Sequence, residues 1–297
     1  MREAVSAKAA WRTKAVSASR RRPFPKLSVS RLMVFAAGLI VLFLIVCALA
    51  PQWIAPYSPT DMQADRILHP PGAAYLFGTD YFGRDVFSVV VYGTRESLFI
   101  GFASVVVGGL AGSLIGALAG YFGKWTDGIL MRIIDVFMTI PGVLLALAVA
   151  SVLGPGLWNL ILAVALASIP NYARIMRGQI LSVKNRPFVT ASRSIGASEL
   201  PIFFRHVLPN SLSPLLVMAC IGVGTSILTG SGLSFLGLGV IKEIPDWGAL
   251  LSQGRGYLTV AWWICTFPGL AITLFVLAVN VIGDELRDAL DPRKRRA

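Results

Sequence analysis

The sequence has little charge for its length. Of its 297 residues, 14% are Asp, Glu, Lys or Arg, whereas 55% are hydrophobic and the mean hydropathy is +0.70. Soluble globular domains carry about 25% charged residues, so this composition excludes an ordinary soluble domain. The chain is therefore predicted to lie in a membrane.

Residues that usually carry catalysis or bind metals are also scarce. The three cysteines lie inside apolar runs, without the spacing of a disulfide framework or a metal box. His69 has no Cys, Asp or Glu at the spacing of metal ligands. No GxxxxGKS/T motif occurs, so the chain does not hold ATP phosphates on a P-loop. The sequence predicts a non-catalytic chain with no metal site and no cofactor of its own.

Six apolar runs are long enough to cross a bilayer, which takes about 20 residues in a helix. They lie at 32–50, 97–120, 130–153, 157–173, 212–236 and 259–282. None of them has an isolated Asp, Glu, Lys or His near its middle, which argues against a proton relay. The predicted fold is an all-α polytopic membrane protein with six transmembrane helices.

The net charge of +12 is concentrated in a few segments and does not indicate a nucleic-acid-binding face. Lys and Arg cluster in the tails, 1–31 and 284–297, and in the loop 174–210. Basic segments stay in the cytoplasm, and an even number of spans puts both termini there. Between the tails we expect a first helix at 32–50, an extracytoplasmic segment at 51–95, and a five-helix core at 96–283.

A cleaved signal is the alternative for the first apolar run. The RRPFPK segment at 21–26 and the ALA segment at 48–50 resemble a twin-arginine signal with its cleavage site. Pro51 follows that site directly, the run is long enough to span, and five more runs follow. We therefore expect the first helix to be retained.

The segment 51–95 is too polar for lipid and rich in proline and turn-forming residues. It is predicted to be an ordered, mostly irregular extracytoplasmic flap. Its GTDYFGRD motif pairs glycines, aspartates and an arginine, at Gly78, Thr79, Asp80, Gly83, Arg84 and Asp85. Both aspartates are within reach of Arg84 or of backbone amides, so a locked turn is a better interpretation than a ligand contact.

The second span has a small residue at every fourth position, namely Ser104, Gly108, Gly112, Gly116 and Gly120. This spacing puts a smooth stripe along one helix face and lets another backbone approach closely. The stripe predicts tight helix packing, with a partner either inside the chain or in another subunit.

The third and fifth spans contain further polar or helix-breaking residues. Arg132 and Asp135 lie three apart and predict a local ion pair, and Pro141 predicts a kink. The fifth span carries four hydroxyl residues, Thr225, Ser226, Thr229 and Ser231. These either line a hydrated path or form hydrogen bonds to neighbouring helices.

The basic loop contains the stretch ASRSIGASELPIFFRHVLPN, which predicts two short helices on the cytoplasmic face. Gly196 ends the first helix in a left-handed conformation, and Ser198 caps the second, with Glu199 at its positive end. Pro209 is expected to end the second helix. Short helices are marginal in water, so these need support from the membrane domain and from a partner.

These residues resemble the EAA…G…LP loop of ATP-binding-cassette importer permeases, and in particular the C-type permease subunit of dipeptide, oligopeptide and nickel importers. The motifs GTDYFGRDVFS, MRIIDVFMTIPG, LSFLGLG and NVIGDELRDALDPR match the same family. The resemblance implies a type I importer permease fold in which the loop docks on an ATPase subunit. It implies coupling residues at Thr190, Ala191, Ser192, Arg193, Gly196, Ala197, Glu199, Arg205, Leu208 and Pro209. The Glu-Ala-Ala of the family is Thr190-Ala191-Ser192 here, and its Ile is His206.

The same resemblance implies a function and its partners. The chain is expected to form half of a path for dipeptides or oligopeptides in a bacterial cell membrane. The alternatives are the same kind of importer for nickel or another small solute, or an ion-coupled secondary carrier. Expected partners are a second related permease chain, one or two ATP-binding subunits that hold ATP and Mg, an extracytoplasmic substrate-binding protein and the bilayer.

Overall fold

The structure is a computed structural model that describes residues 27–290. Its α-helices are α1 (Leu27–Leu49), α2 (Val86–Phe122), α3 (Lys124–Met138), α4 (Gly142–Leu153), α5 (Leu157–Lys184), α6 (Pro187–Ser194), α7 (Glu199–Ile202), α8 (Leu208–Ser211), α9 (Ser213–Leu233), α10 (Trp247–Gly254) and α11 (Trp263–Leu290). No strand occurs within the described residues, where one isolated bridge joins Thr79 to Asp85. The all-α prediction is confirmed.

Among residues 27–290, five helices are long and apolar enough to cross a membrane, namely α1, α2, α5, α9 (with the π turn that follows it) and α11. The sixth predicted span is the pair α3 and α4, which are bent by 89° at a short break. The predicted kink at Pro141 is therefore a full break. Pro141 has an extended conformation (φ −52°, ψ 130°) and caps α4, because proline lacks an N–H and disfavours helix in the residue before it.

Several helix boundaries differ from the predicted segments. The helix α2 begins at Val86, inside the predicted extracytoplasmic segment 51–95, because Asp85 accepts a hydrogen bond from the Ser88 backbone N–H at 2.9 Å and caps it. The irregular flap thus ends at Asp85. At the other end, α5 continues to Lys184, so the first part of the predicted loop 174–210 is helical.

The close packing of α2 against α5 explains the glycine stripe. A Cβ added at Gly108, Gly112 or Gly116 would lie 2.1–2.6 Å from the nearest atom of α5, and one at Gly120 would lie 3.0 Å away. The Ser104 hydroxyl donates a hydrogen bond to the Ile161 carbonyl of α5 at 3.3 Å. The partner of the stripe is therefore inside the chain.

Two local predictions are wrong. Asp135 does not pair with Arg132; its carboxylate lies 2.6 Å from the Arg174 guanidinium of α5. Pro209 does not end a helix, because the chain stays helical through a π turn at Phe203–Val207 and then α8. The wider π turn changes the register just before the proline, which sits in the first turn of α8, where its missing N–H costs little.

Candidate functional site

The basic loop forms an elbow between α6 and α7. Gly196 lies at the bend with φ +83°, the left-handed region predicted for it. The N–H groups of Gly196 and Ala197 donate to the carbonyls of Arg193 and Ser192 at 3.0 and 3.2 Å, which satisfies the end of α6. A side chain at Gly196 would meet no atom within 4 Å, so the glycine is required by backbone conformation and not by space.

An ion pair across the elbow joins its two helices. The Arg193 guanidinium donates to the Glu199 carboxylate at 2.9 and 3.1 Å. The Tyr121 hydroxyl, at the end of α2, lies 2.5 Å from the same carboxylate and 2.7 Å from the Glu199 carbonyl. Lys184, at the end of α5, donates to the Tyr121 carbonyl and lies over its ring. Tyr121 therefore links α2, α5 and the elbow.

The electrostatics of this link favour the charged pair. Arg193 and the Tyr121 hydroxyl both stabilise the carboxylate and lower the pKa of Glu199 below its ordinary value. The carboxylate in turn raises the pKa of Arg193. Glu199 is thus ionised at neutral pH, and the negative charge also lies at the N-terminus of α7. Ser198 is the N-cap residue, as predicted, but its side chain makes no capping bond.

One side of the elbow is held by the bundle and the other side is free. Val189, Ile202 and Val207 are fully buried. In contrast, Ile195 is 85% exposed, and Phe204 is 61% exposed. Seven of the predicted coupling residues are exposed: Thr190, Ala191, Gly196, Ala197, Glu199, Arg205 and Pro209. Ser192, Arg193 and Leu208 are half-buried. The elbow is therefore anchored to the bundle on one side and exposes a partly apolar surface on the other.

The GTDYFGRD motif of the flap forms a buried, closed turn. The Asp80 carboxylate accepts from the backbone N–H groups of Phe82 and Arg84 at 2.8 and 2.9 Å, and from the Arg84 guanidinium at 2.7 Å. The side chains of Thr79, Asp80, Arg84 and Asp85 are almost completely buried. Burial raises the pKa of Asp85, although the cap bonds with Ser88 oppose this. Most polar groups of the motif bond within the turn, but the Asp85 Oδ1 atom is buried without a hydrogen-bond partner among the described residues.

The turn is also tied to the rest of the bundle. Gly83 has φ +75°, and a Cβ there would lie 2.0 Å from the Gln63 carbonyl oxygen. Arg84 donates to the Glu243 carbonyl at 3.2 Å, and the Trp263 indole donates to the Thr79 carbonyl at 3.0 Å. The flap is thereby fixed to the loop before α10 and to α11.

A second buried cluster lies at the start of α10, a helix that was not predicted from the sequence. The Asp246 carboxylate accepts from the Gly248 and Ala249 backbone N–H groups at 2.8 and 3.3 Å, while burial raises its pKa. The Trp247 indole, fully buried, donates to the Val90 carbonyl at 3.1 Å. An Asp directly before an apolar run was the available signal for this helix start.

The four hydroxyl residues of α9 divide into two pairs. Thr225 and Ser226 line a groove of about 740 Å³ between α5, α9 and α11, whereas Thr229 and Ser231 are absent from its lining. The Thr229 hydroxyl donates to the Thr225 carbonyl at 2.9 Å, one turn back in the same helix. The structure therefore brings Thr225 and Ser226, but not the other pair, to a site large enough for a small solute.

Within the described residues, a helical bundle of up to six spans with an open, mostly apolar groove and an exposed elbow is typical of a membrane transport subunit. Residues 112–296 match the family model of the binding-protein-dependent transport system inner membrane component. The chain belongs to this family, as the motifs predicted, and is a permease subunit of an ATP-binding-cassette importer.

Relatives and structures agree with this assignment. The chain is 44% identical over 267 residues to a di/tripeptide transport system permease protein of Pseudomonas aeruginosa, covering 88% of each chain. It is 46% identical to a glutathione transport system permease protein of Pectobacterium atrosepticum, covering 87% of this chain and 86% of the relative. Its fold is similar to that of the MetNI methionine ABC transporter in an inward-facing conformation, with a TM-score of 0.58 at 21% identity over 69% of this chain and 97% of the other.

Proposed function

We propose that this chain forms half of a translocation path for short peptides and is driven by separate ATPase subunits that dock on the elbow. The exposed elbow, braced by Arg193, Glu199 and Tyr121, is the observation that carries the coupling role. Relatives named for di/tripeptide and glutathione transport support the choice of peptides as cargo. The chain itself contributes no catalytic group, and ATP and Mg bind to the partner subunits.

The proposed assembly follows from the same reasoning. A second, related permease chain completes the path, one or two ATPases bind on the elbow side, and a substrate-binding protein docks on the flap side. Both termini and the elbow lie in the cytoplasm of a bacterial cell, because all three are rich in Lys and Arg and such segments stay on the cytoplasmic side of the membrane. The predicted coupling residues, from Thr190 to Pro209, form the ATPase contact.

The elbow role is tested by a matched pair of glycine variants. Gly196 and Gly154 both have positive φ, +83° and +78°, and an added Cβ meets no atom within 4 Å at either position. Gly154 lies in the turn between α4 and α5, away from the elbow. Valine costs about 1–2 kcal/mol in a left-handed conformation. Gly154 has ψ 174°, in a region that is essentially restricted to glycine, so Gly154→Val suffers at least as much local strain as Gly196→Val.

The complete complex is reconstituted in proteoliposomes, and uptake of labelled dialanine and ATP hydrolysis are both measured. We expect Gly196→Val to lower uptake and substrate-stimulated hydrolysis together, while Gly154→Val keeps both near the wild-type level. Equal behaviour of the two variants would show that the elbow is not the coupling element. Uptake of labelled glutathione and of labelled nickel is measured in parallel, and uptake of nickel without uptake of either peptide would change the proposed cargo.

A further inference from the structure

The groove between α5, α9 and α11 has a polar lining on a mostly apolar wall. On α5 the polar lining residues are Ser168, Asn171, Tyr172 and Gln179; Ser213, Thr225 and Ser226 line it from α9, and Arg287 from α11. Its apolar wall includes Val217, Met218 and Ile221. Arg287 is the one charged residue in the lining, and no Asp or Glu of the described residues contributes to it. The groove therefore combines neutral hydrogen-bonding groups with a single positive charge.

A buried hydroxyl in this lining has no partner. Tyr172 is 3% exposed, and its hydroxyl makes no hydrogen bond within the described part of the chain. The hydroxyl packs against Gly222 of α9, where a Cβ would lie 2.5 Å from it. Leaving a buried hydroxyl unpaired costs free energy, and such groups are rare in native structures. The hydroxyl is closed off from solvent by its contact with Gly222, so a polar ligand in the groove would satisfy it when this contact between α5 and α9 opens.

The positions of the lining residues give the groove a direction and a length. Tyr172 of α5 contacts Gly222 of α9, and Gly283 of α11 lies against Ile221 of α9. This register puts Ser168, Thr225 and Ser226 toward one end of the groove and the other polar lining residues, Gln179, Ser213 and Arg287, toward the basic end. Ser168 and Gln179 are eleven residues apart on α5, which corresponds to about 16 Å at 1.5 Å per residue. An extended peptide advances about 3.3 Å per residue, so the groove accommodates up to about five residues.

We infer that this groove binds the main chain of a short peptide, with its C-terminal carboxylate at Arg287 and a peptide group at the Tyr172 hydroxyl. This inference rests on the proposed function and names the residues that bind the transported peptide within the path. Neutral donors and acceptors match the amides of a peptide main chain. The arginine matches a carboxylate by charge and by its two parallel N–H donors. The apolar wall accepts peptide side chains of different shapes without selecting among them.

The test measures uptake by the complete complex in proteoliposomes, with dialanine and trialanine as free acids and as C-terminal amides. The binding protein is the same in every sample, so a change in the acid-to-amide uptake ratio between wild type and variant originates in the permease. Arg287→Gln is expected to lower uptake of the acids about fivefold and to leave the amides unchanged. Arg287→Lys, which keeps the charge, is expected to retain most of the preference for acids.

Tyr172→Phe separates ligand binding from packing. Removing an unpaired buried hydroxyl leaves the fold as stable or more stable, so the melting temperature of the complex is expected not to fall. Uptake of acids and amides is expected to fall together, about fivefold. Thr225→Val is expected to lower uptake as well, whereas Thr229→Val serves as its matched control, because Thr229 lies on the same helix outside the groove.

The possible results separate this inference from the proposed function. If the wild-type complex takes up no peptide, the proposed cargo is wrong. If the wild-type complex transports peptides, and Arg287→Gln and Tyr172→Phe both behave as wild type, the groove does not read peptides. In that case a lipid chain or the second permease chain fills it.

Discussion

Replacing glycines of the stripe by alanine tests how closely α2 and α5 must pack. At Gly116 the new Cβ would lie 2.2 Å from the Ala173 carbonyl oxygen, a backbone atom that cannot rotate away. An ordinary contact needs about 3.4 Å, so the two backbones would have to separate locally by about 1.2 Å. At Gly109, on the same helix, the nearest atom is a Tyr172 ring carbon at 3.6 Å, and no movement is needed.

The expected energies differ in sign between these two positions. Overpacking of a tight interface costs about 1–3 kcal/mol, while exchanging glycine for alanine inside a helix gains up to about 1 kcal/mol. Gly116→Ala is therefore expected to lower the free energy of unfolding by about 2 kcal/mol, and Gly109→Ala to raise it by about 0.5 kcal/mol. Gly112→Ala, where the nearest backbone oxygen is 2.6 Å from the new Cβ, is expected to fall between them.

The assay is thermal unfolding of the purified complex, followed with a dye that becomes fluorescent on reaction with thiols. The three free cysteines are buried or half-buried and become accessible on unfolding. A loss of 2 kcal/mol corresponds to a melting temperature lower by about 4–8 °C. If Gly116→Ala and Gly109→Ala melt at the same temperature, the stripe is not the close interface between α2 and α5.

Three further predictions concern the elbow and the topology. In a double-mutant cycle, Tyr121→Phe and Glu199→Gln should each reduce the coupling of ATP hydrolysis to uptake. Because both substitutions break the same contact, the double variant should lose no more coupling than either single variant, and additive losses would contradict the shared link. Because the pKa of Glu199 is lowered in the folded protein, its contribution is present above the ordinary value of 4.5 and is lost as the pH falls through the lowered pKa. Coupling in the wild type should therefore persist at pH 5 and fall only below 4.5, and an earlier loss would contradict the brace between Arg193 and Glu199. A reporter that is active only outside the membrane, fused after Arg296, should stay silent, since activity there would place the C-terminus on the flap side.

Periodicity and glycine chemistry made much of the architecture predictable. The apolar runs identified the spans because lipid requires about 20 apolar residues in a helix, whatever the rest of the fold does. The stripe around Gly112 and the left-handed Gly196 depend on the absence of a side chain, which is visible in the sequence. Each of these predictions rests on a local rule.

The differences come from contacts between distant parts of the chain. Asp135 has Arg132 as a sequence neighbour but pairs with Arg174, because α3 packs against α5, where Asp127 also pairs with Arg177. Tyr121 is unremarkable in the sequence, and its role as a link depends on the arrival of Glu199 from 78 residues away. Pro209 continues a helix only because the preceding π turn changes the register.

The length of α2 has a mechanical consequence. Its 37 residues run without interruption from the Asp85 cap, beside the flap turn, to Tyr121 at the elbow. At 1.5 Å per residue this is a rod about 55 Å long, whereas the hydrocarbon core of a bilayer is about 30 Å thick. A rod of this length acts as a lever arm, since a tilt of only about 5° at one end displaces the other by about 5 Å. The glycine stripe packs α2 closely against α5. A movement of α2 at the elbow is therefore expected to move its other end, beside the flap, as well.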